Sequence, residues 1–191
     1  MLLIVFHSAT GGTRQMAEAA LEGARAEGPA RLLHAAEAGP ADLEGAGAYL
    51  FAAPENLASL AGTMKDFFDR TYYPVLDRLQ GRPYAAMVCA GSDGQGAARQ
   101  IARIATGWRL RPVAAPLIVC TRAQTPEAIL APKTIPPEDL TRCHDLGAEP
   151  RPVPAVGDES VGEQREGTDH QTHTRDGEGR GALGGERTRS A

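Results

Sequence analysis

Three short, unbroken apolar runs constrain this chain more than anything else in it. Residues 2–6 (LLIVF), 48–53 (AYLFAA) and 84–90 (YAAMVCA) are too short for core helices and lack the polar alternation of half-exposed strands. They read as strands buried on both faces, the pattern of a parallel sheet covered on each side. The segments between them have helical period. Residues 13–27 put Met16, Ala19, Ala20 and Ala24 on one side, with Arg14, Glu18, Glu22 and Arg25 elsewhere, and Gly28-Pro29 ends the pattern. In residues 59–73, Leu60, Met64, Phe67, Phe68 and Thr71 share a face before Pro74. Further helices are expected at 95–106 (Ile101, Ile104, Ala105) and 137–148 (Leu140, Cys143, Leu146), and a short one at 41–45. A weak strand is expected at 31–35 and a last strand at 113–120. The expected class is therefore α/β, a five-stranded parallel sheet in three layers with helices on both faces. Right-handed crossovers leave only a few doubly wound strand orders.

The end of the chain reads differently. Residues 151–191 have seven apolar side chains (Val153, Ala155, Val156, Val161, Ala182, Leu183 and Ala191), eight glycines and no aromatic residue. Such a segment buries too little surface to offset its ordering entropy. The expected division is a working domain over 1–148 and a disordered tail over 149–191. The net charge of −4 is spread evenly and implies no basic face, so nucleic acid is not an expected partner. No apolar run approaches the roughly 18–20 residues of a membrane span. The apolar start has no basic flank and stops at His7, unlike a signal peptide. Three cysteines with no C-x-x-C pair argue against a disulfide framework or a cysteine zinc site, and a reducing, cytoplasmic setting is expected. His170 and His173 have a tempting spacing but no further ligands, so no metal is expected.

In a doubly wound sheet the ligand sits beyond the carboxyl ends of the strands. The turn after the first strand is Ser8-Ala9-Thr10-Gly11-Gly12-Thr13, which opens a helix. First-turn amides favour an anion, glycines let the backbone come close, and hydroxyls add neutral donors. Ser8, Thr10, Gly11, Gly12 and Thr13 are therefore candidate phosphate ligands, although a plain helix entry would need only one of these hydroxyls as a cap. The turn is neither a Walker A loop nor a G-x-G-x-x-G fingerprint. Two more turns fall at the same edge, 54–58 (Pro54, Glu55, Asn56, Leu57) and 90–96 (Ala90, Gly91, Ser92, Gly94, Gly96). Either could present backbone donors to a flat, acceptor-rich ring, or be an ordinary helix entry.

Together these pieces resemble the flavodoxin-like family. Residues 8–13 match its S/T-x-T-G-x-T phosphate loop. Residues 54–70 resemble the P…S-x-x-G-x-x-K-x-F-x-D segment of the NAD(P)H-dependent FMN reductase and quinone reductase branch. The resemblance spans roughly 2–147. It implies strand order 2-1-3-4-5, with FMN held by its phosphate at 8–13 and its ring between the loops at 54–58 and 90–96. It departs from the branch where Asn56, Leu57 and Ala58 replace a more usual aromatic and Gly-Ser, and where the final helix stops at Glu149-Pro150. The function implied is an oxidoreductase taking hydride from NAD(P)H and passing electrons to a small-molecule acceptor such as a quinone or free flavin. Relatives of this kind are often homo-oligomers. The flavin carries the chemistry, so no catalytic side chain is named. The alternatives are an electron carrier between proteins, and a flavin-binding remnant without turnover.

Among other residues, Arg14 and His7 border the phosphate loop, and Tyr72 and Tyr73 are expected to end a helix near the active edge. Cys89 and Cys120 are expected as inert core, Cys143 as a helix-face residue, and Trp108 as a packing anchor.

Overall fold

A computed structural model describes residues 1–151. Beyond Arg151, the expected tail lies outside the described residues. The strands are β1 (Leu2–Phe6), β2 (Ala30–His34), β3 (Ala48–Asn56), β4 (Ser59–Leu60), β5 (Pro83–Ala90), β6 (Arg111–Pro112) and β7 (Leu117–Cys120). The helices are α1 (Gly12–Glu27), α2 (Pro40–Glu44), α3 (Gly62–Thr71), α4 (Gln95–Gly107), α5 (Pro126–Leu130) and α6 (Pro137–Ala148).

The main sheet is parallel. β1 pairs with β2 and β3, β3 with β5, and β5 with both β6 and β7. β6 and β7 are two halves of one edge strand, so the order is the expected 2-1-3-4-5 even though the described residues hold seven strands rather than five. That strand breaks at its prolines. Tyr84 pairs with Pro112 and Met87 with Leu117, so five steps on the edge strand span three on β5 and two residues are extruded. Pro112 and Pro116 have no amide to continue the ladder.

Two apolar layers cover the sheet. Leu2, Ile4 and Phe6 alternate with Leu3 and Val5 between the faces, as period two requires. One face packs α1 and α6 (Met16, Ala17, Ala20, Cys143, Leu146). The other packs α3 and α4 (Met64, Phe67, Phe68, Ile101) around Phe51 and Trp108. Trp108 is the expected anchor: it is fully buried and its Nε1 donates to the Tyr72 carbonyl at 3.1 Å.

Four local expectations change. β3 runs through Pro54 to Asn56. β1 has by then ended, its last pair being Phe6 with Ala52, so the missing amide interrupts no bond on that side. Ser59 and Leu60 belong not to a helix but to an antiparallel return, pairing with Asn56 and Glu55, and α3 starts at Gly62. α5 carries no buried residue and left no apolar period to read. Tyr72 and Tyr73 lie at the opposite edge from the expected one. α3 leaves the carboxyl edge and runs back, so its end meets Trp108 and Gly107 at the end of α4, with Tyr72 stacked on Trp108.

α1 and α6 cross at glycines. A methyl on Gly23 would collide with the His144 carbonyl, and one on Gly147 with the Ala20 carbonyl. In an isolated helix Gly→Ala gains about 1 kcal/mol. Here Gly23→Ala is expected to destabilise the protein by about 1–3 kcal/mol through overpacking, read from urea unfolding midpoints.

Candidate functional site

The β1–α1 turn starts from a backbone requirement. Gly11 caps α1 at φ 89°, in the left-handed region, and its amide donates to Ser8 Oγ at 3.1 Å. This turns the amides of Gly12, Thr13 and Arg14 outward. Among the described residues none of the three meets an acceptor, as the first turn of a helix dictates. Thr10 lies at the loop's open side. Thr13 is buried, beside the Cys89 thiol. A side chain at Gly12 would press on Cys89 Sγ and Lys133 Cβ, so only glycine lets strand, loop and the 133 region meet.

The second loop is a tight two-residue hairpin joining β3 to β4. Leu57 (φ 50°) and Ala58 (φ 58°) form its tip, both in the left-handed region that such turns usually fill with Asn-Gly. Leu57 is completely exposed. The surroundings hold this strained tip in place. Glu55 Oε2 accepts from the Gly94 amide at 2.7 Å, and Oε1 from the Ala97 amide at 3.2 Å. Gln100 accepts from the Leu60 amide at 3.0 Å and donates to Ser59 Oγ. A side chain at Gly96 would strike the Ala58 carbonyl. The hairpin is thus bolted to α4, and Glu55 neutralises the partial positive charge at that helix start.

The third loop contributes Ala90 and Gly91. Gly94 is buried at φ 83°, Ser92 is exposed, and Gly96 serves the packing just described. These loops enclose a cavity of about 270 Å³. Ala9 and Thr10 come from the first loop; Pro54, Glu55 and Asn56 from the second; Cys89, Ala90 and Gly91 from β5 and its turn. The fourth wall was not foreseen. It is the segment 121–135, contributing Thr121, Ala123, Ile129, Leu130 and Lys133. Gln15 holds this strap in place: its Nε2 donates to the carbonyls of Gly11 (3.2 Å) and Lys133 (2.6 Å), and its Oε1 accepts from Ile135 (3.1 Å). The Lys133 amide donates to the Thr10 carbonyl at 2.8 Å. A wider groove of about 640 Å³ between α1 and α6 lies away from the strand ends, and Glu18, Glu22 and Asp145 make it acidic.

The remaining candidates fall as follows. Arg14 is exposed, sits over the Phe6 ring at 5.2 Å and lies 3.9 Å from Glu18. Cys89 is buried in the layer under α1 and α6, as expected, and also lines the cavity. Burial pushes its thiol up, partly offset by Thr13 and by the nearby Lys133 charge. Cys120 is exposed, contrary to the inert-core expectation, because it ends the edge strand. Cys143 is buried beneath α6, and burial first, then Asp139, raises it to about 12. Among the described residues no group of three His, Cys, Asp or Glu side chains is placed to hold a metal. No described helix is long and apolar enough to cross a membrane. His170 and His173 lie outside the described residues.

His7 stands at the foot of the β1–α1 turn and bonds His34 (Nδ1 to Nε2, 3.2 Å). His34 Nδ1 accepts the Ala36 amide, which assigns the shared proton of the neutral pair to His34 Nε2. Burial, then the His34 charge, lowers the His7 pKa below 6.5. Well above pH 6.5 His7 is neutral both folded and unfolded and contributes no pH dependence. Below it the unfolded chain takes up the proton first, so stability falls with pH. Urea midpoints of the native chain between pH 7.5 and 5.5 are expected to fall more steeply than those of His7→Asn.

The doubly wound sheet, with its strand-end loops gathered at one edge, is a flavodoxin-like fold. Residues 34–123 match the family model of NADPH-dependent FMN reductases, a span that starts after the β1–α1 turn. A flavodoxin from Aquifex aeolicus (strain VF5) is 35% identical over 97 residues, which are 50% of this chain and 52% of that protein. The chain thus aligns with about half the length of that relative. Among solved structures, an archaeal flavodoxin superposes with a TM-score of 0.63 at 20% identity, covering 77% of this chain and 93% of its own. The flavodoxin WrbA-like protein of Agrobacterium tumefaciens gives 0.61 at 19%, covering 78% and 93%. At these identities the superpositions speak to fold.

Proposed function

We propose that the chain binds FMN at this edge and works as an NAD(P)H-dependent oxidoreductase delivering electrons to a small acceptor such as a quinone or free flavin. One observation carries the reading. Three strand-end loops meet at a cavity whose first loop offers unpaired helix-start amides and hydroxyls, and whose lining, among the described residues, has no aromatic side chain. The match to NADPH-dependent FMN reductases supports the same reading.

The donor set fits a phosphate monoester. Ser8 and Thr10 would supply hydroxyls, and Gly12 and Thr13 outward amides, to a dianion. The exposed turn at Asn56 and Leu57, with Ala90, Gly91 and Ser92 opposite, would flank the ring. Gly94 gives its amide to Glu55, and Gly96 makes room for Ala58, so both shape the wall rather than donate to a ligand. At about 270 Å³ the cavity is smaller than the roughly 300–1,000 Å³ that encloses a drug-sized ligand. It would therefore leave part of the flavin open to a second substrate. FMN, when bound, would supply the redox chemistry, hydride acceptance and two-electron donation. This chain positions the group, and no catalytic side chain is assigned.

The Aquifex relative named as a flavodoxin favours a second reading, an electron carrier serving protein partners. Absorbance titration separates the two. The protein with FMN is expected to bleach on adding NADPH and to recolour with a quinone. Photoreduction without any response to NADPH or NADH would favour the carrier, and no flavin binding at all would remove both readings. Ser8→Ala with Thr10→Ala is expected to weaken FMN binding about tenfold, or roughly 1.4 kcal/mol. Equilibrium titration checks this, and an unchanged affinity would displace the phosphate from this loop.

A further inference from the structure

The cavity contains one cation among its described lining residues, and nothing in the reading above uses it. Lys133 is one of only two lysines in the chain, the other being Lys65 on α3. Lys65 is paired with Asp69, whereas Lys133 makes no ion pair among the described residues. Its ammonium donates instead to three carbonyls around the end of α5, those of Ala128 (2.6 Å), Ile129 (2.9 Å) and Ala131 (2.6 Å). Carbonyls satisfy its donors without cancelling its charge.

The Lys133 backbone is fastened to the phosphate loop on both sides. Its amide bonds Thr10 and its carbonyl bonds Gln15, whose same nitrogen also bonds Gly11. The first carbon of its side chain lies 3.2 Å from where a Gly12 methyl would stand. A full positive charge is therefore carried by a residue that lines the cavity and whose backbone is fixed against the β1–α1 turn. The one carboxylate lining the cavity, Glu55, is occupied by the amides of Gly94 and Ala97.

We propose that Lys133 is the residue by which this site selects a phosphorylated flavin over an unphosphorylated one, its tethered ammonium adding a directed charge to the neutral donors of the β1–α1 turn. This rests on the flavin reading. The α5 carbonyls hold the ammonium in register, so the short helix acts as its support, and the cavity-facing Ile129 and Leu130 come with it. Attraction between the ammonium and a dianion is screened by salt, whereas stacking and apolar contacts of the ring are not.

The test compares FMN with riboflavin by fluorescence titration in the native chain, Lys133→Gln and Lys133→Arg. Glutamine keeps a donor for the α5 carbonyls and removes the charge; arginine keeps the charge. The expected result is about tenfold weaker FMN binding in Lys133→Gln, with riboflavin changed less than twofold, a flatter salt dependence for FMN, and substantial recovery in Lys133→Arg. Equal weakening of both flavins would make Lys133 only a cap for α5 and overturn the proposal, as would an unchanged FMN-to-riboflavin ratio. If Lys133→Gln does not fold, the salt dependence of the native chain decides: FMN binding must weaken with salt more steeply than riboflavin binding. A native chain that binds neither flavin overturns the flavin reading itself, an outcome distinct from a lost or unchanged ratio.

Discussion

A sheet whose main strands all run the same way, with apolar side chains on both faces, leaves its backbone polar groups unpaired, apart from the outer sides of its edge strands, where strands end and helices begin. Everything functional in this protein follows from that constraint. The crossovers from β1 to α1, from β3 through the hairpin to α3, and from β5 to α4 all leave at the carboxyl edge, so three chemically different turns converge without any contact specifying it. The same rule sends helix ends to the far edge, which is why Tyr72 stacks on Trp108 rather than facing the cavity.

Convergence alone does not make a rigid site. Three polar side chains provide the rigidity: Gln15 ties the strap to the β1–α1 turn, while Glu55 and Gln100 tie the hairpin to α4. Each satisfies backbone groups that a turn would otherwise leave bare, and each is held by residues distant in sequence. Glu55 shows the trade most clearly. It lies in the cavity wall, and its carboxylate is committed to the amides of Gly94 and Ala97, so the start of α4 has an internal acceptor that the start of α1 lacks. The two helix starts at this edge are thereby made unequal.

The architecture was largely legible because burial on both faces leaves a strong signal. LLIVF, AYLFAA and YAAMVCA became β1, the core of β3, and β5, and the helical periods of α1, α4 and α6 were recovered within a residue or two. What was not legible lacks an apolar period. The two-residue β4 is too short to show alternation, and its hairpin bends through Leu57 and Ala58 rather than the Gly or Asn that would have marked it. α5 buries nothing. The edge strand is split by prolines whose effect depends on which neighbour they face.

The division of labour is physical. Local pattern determined the strands, the helices, their order and the hydroxyl-rich turn after β1, because burial period and helix-start chemistry act over a few residues. Tertiary packing decided which donors stay free. Gly94 is bound by a carboxylate 39 residues away, Gln15 reaches a carbonyl 118 residues on, and Lys133 is brought to the rim of a loop that opens the chain. Such pairings obey distance in space, and no spacing along the chain encodes them.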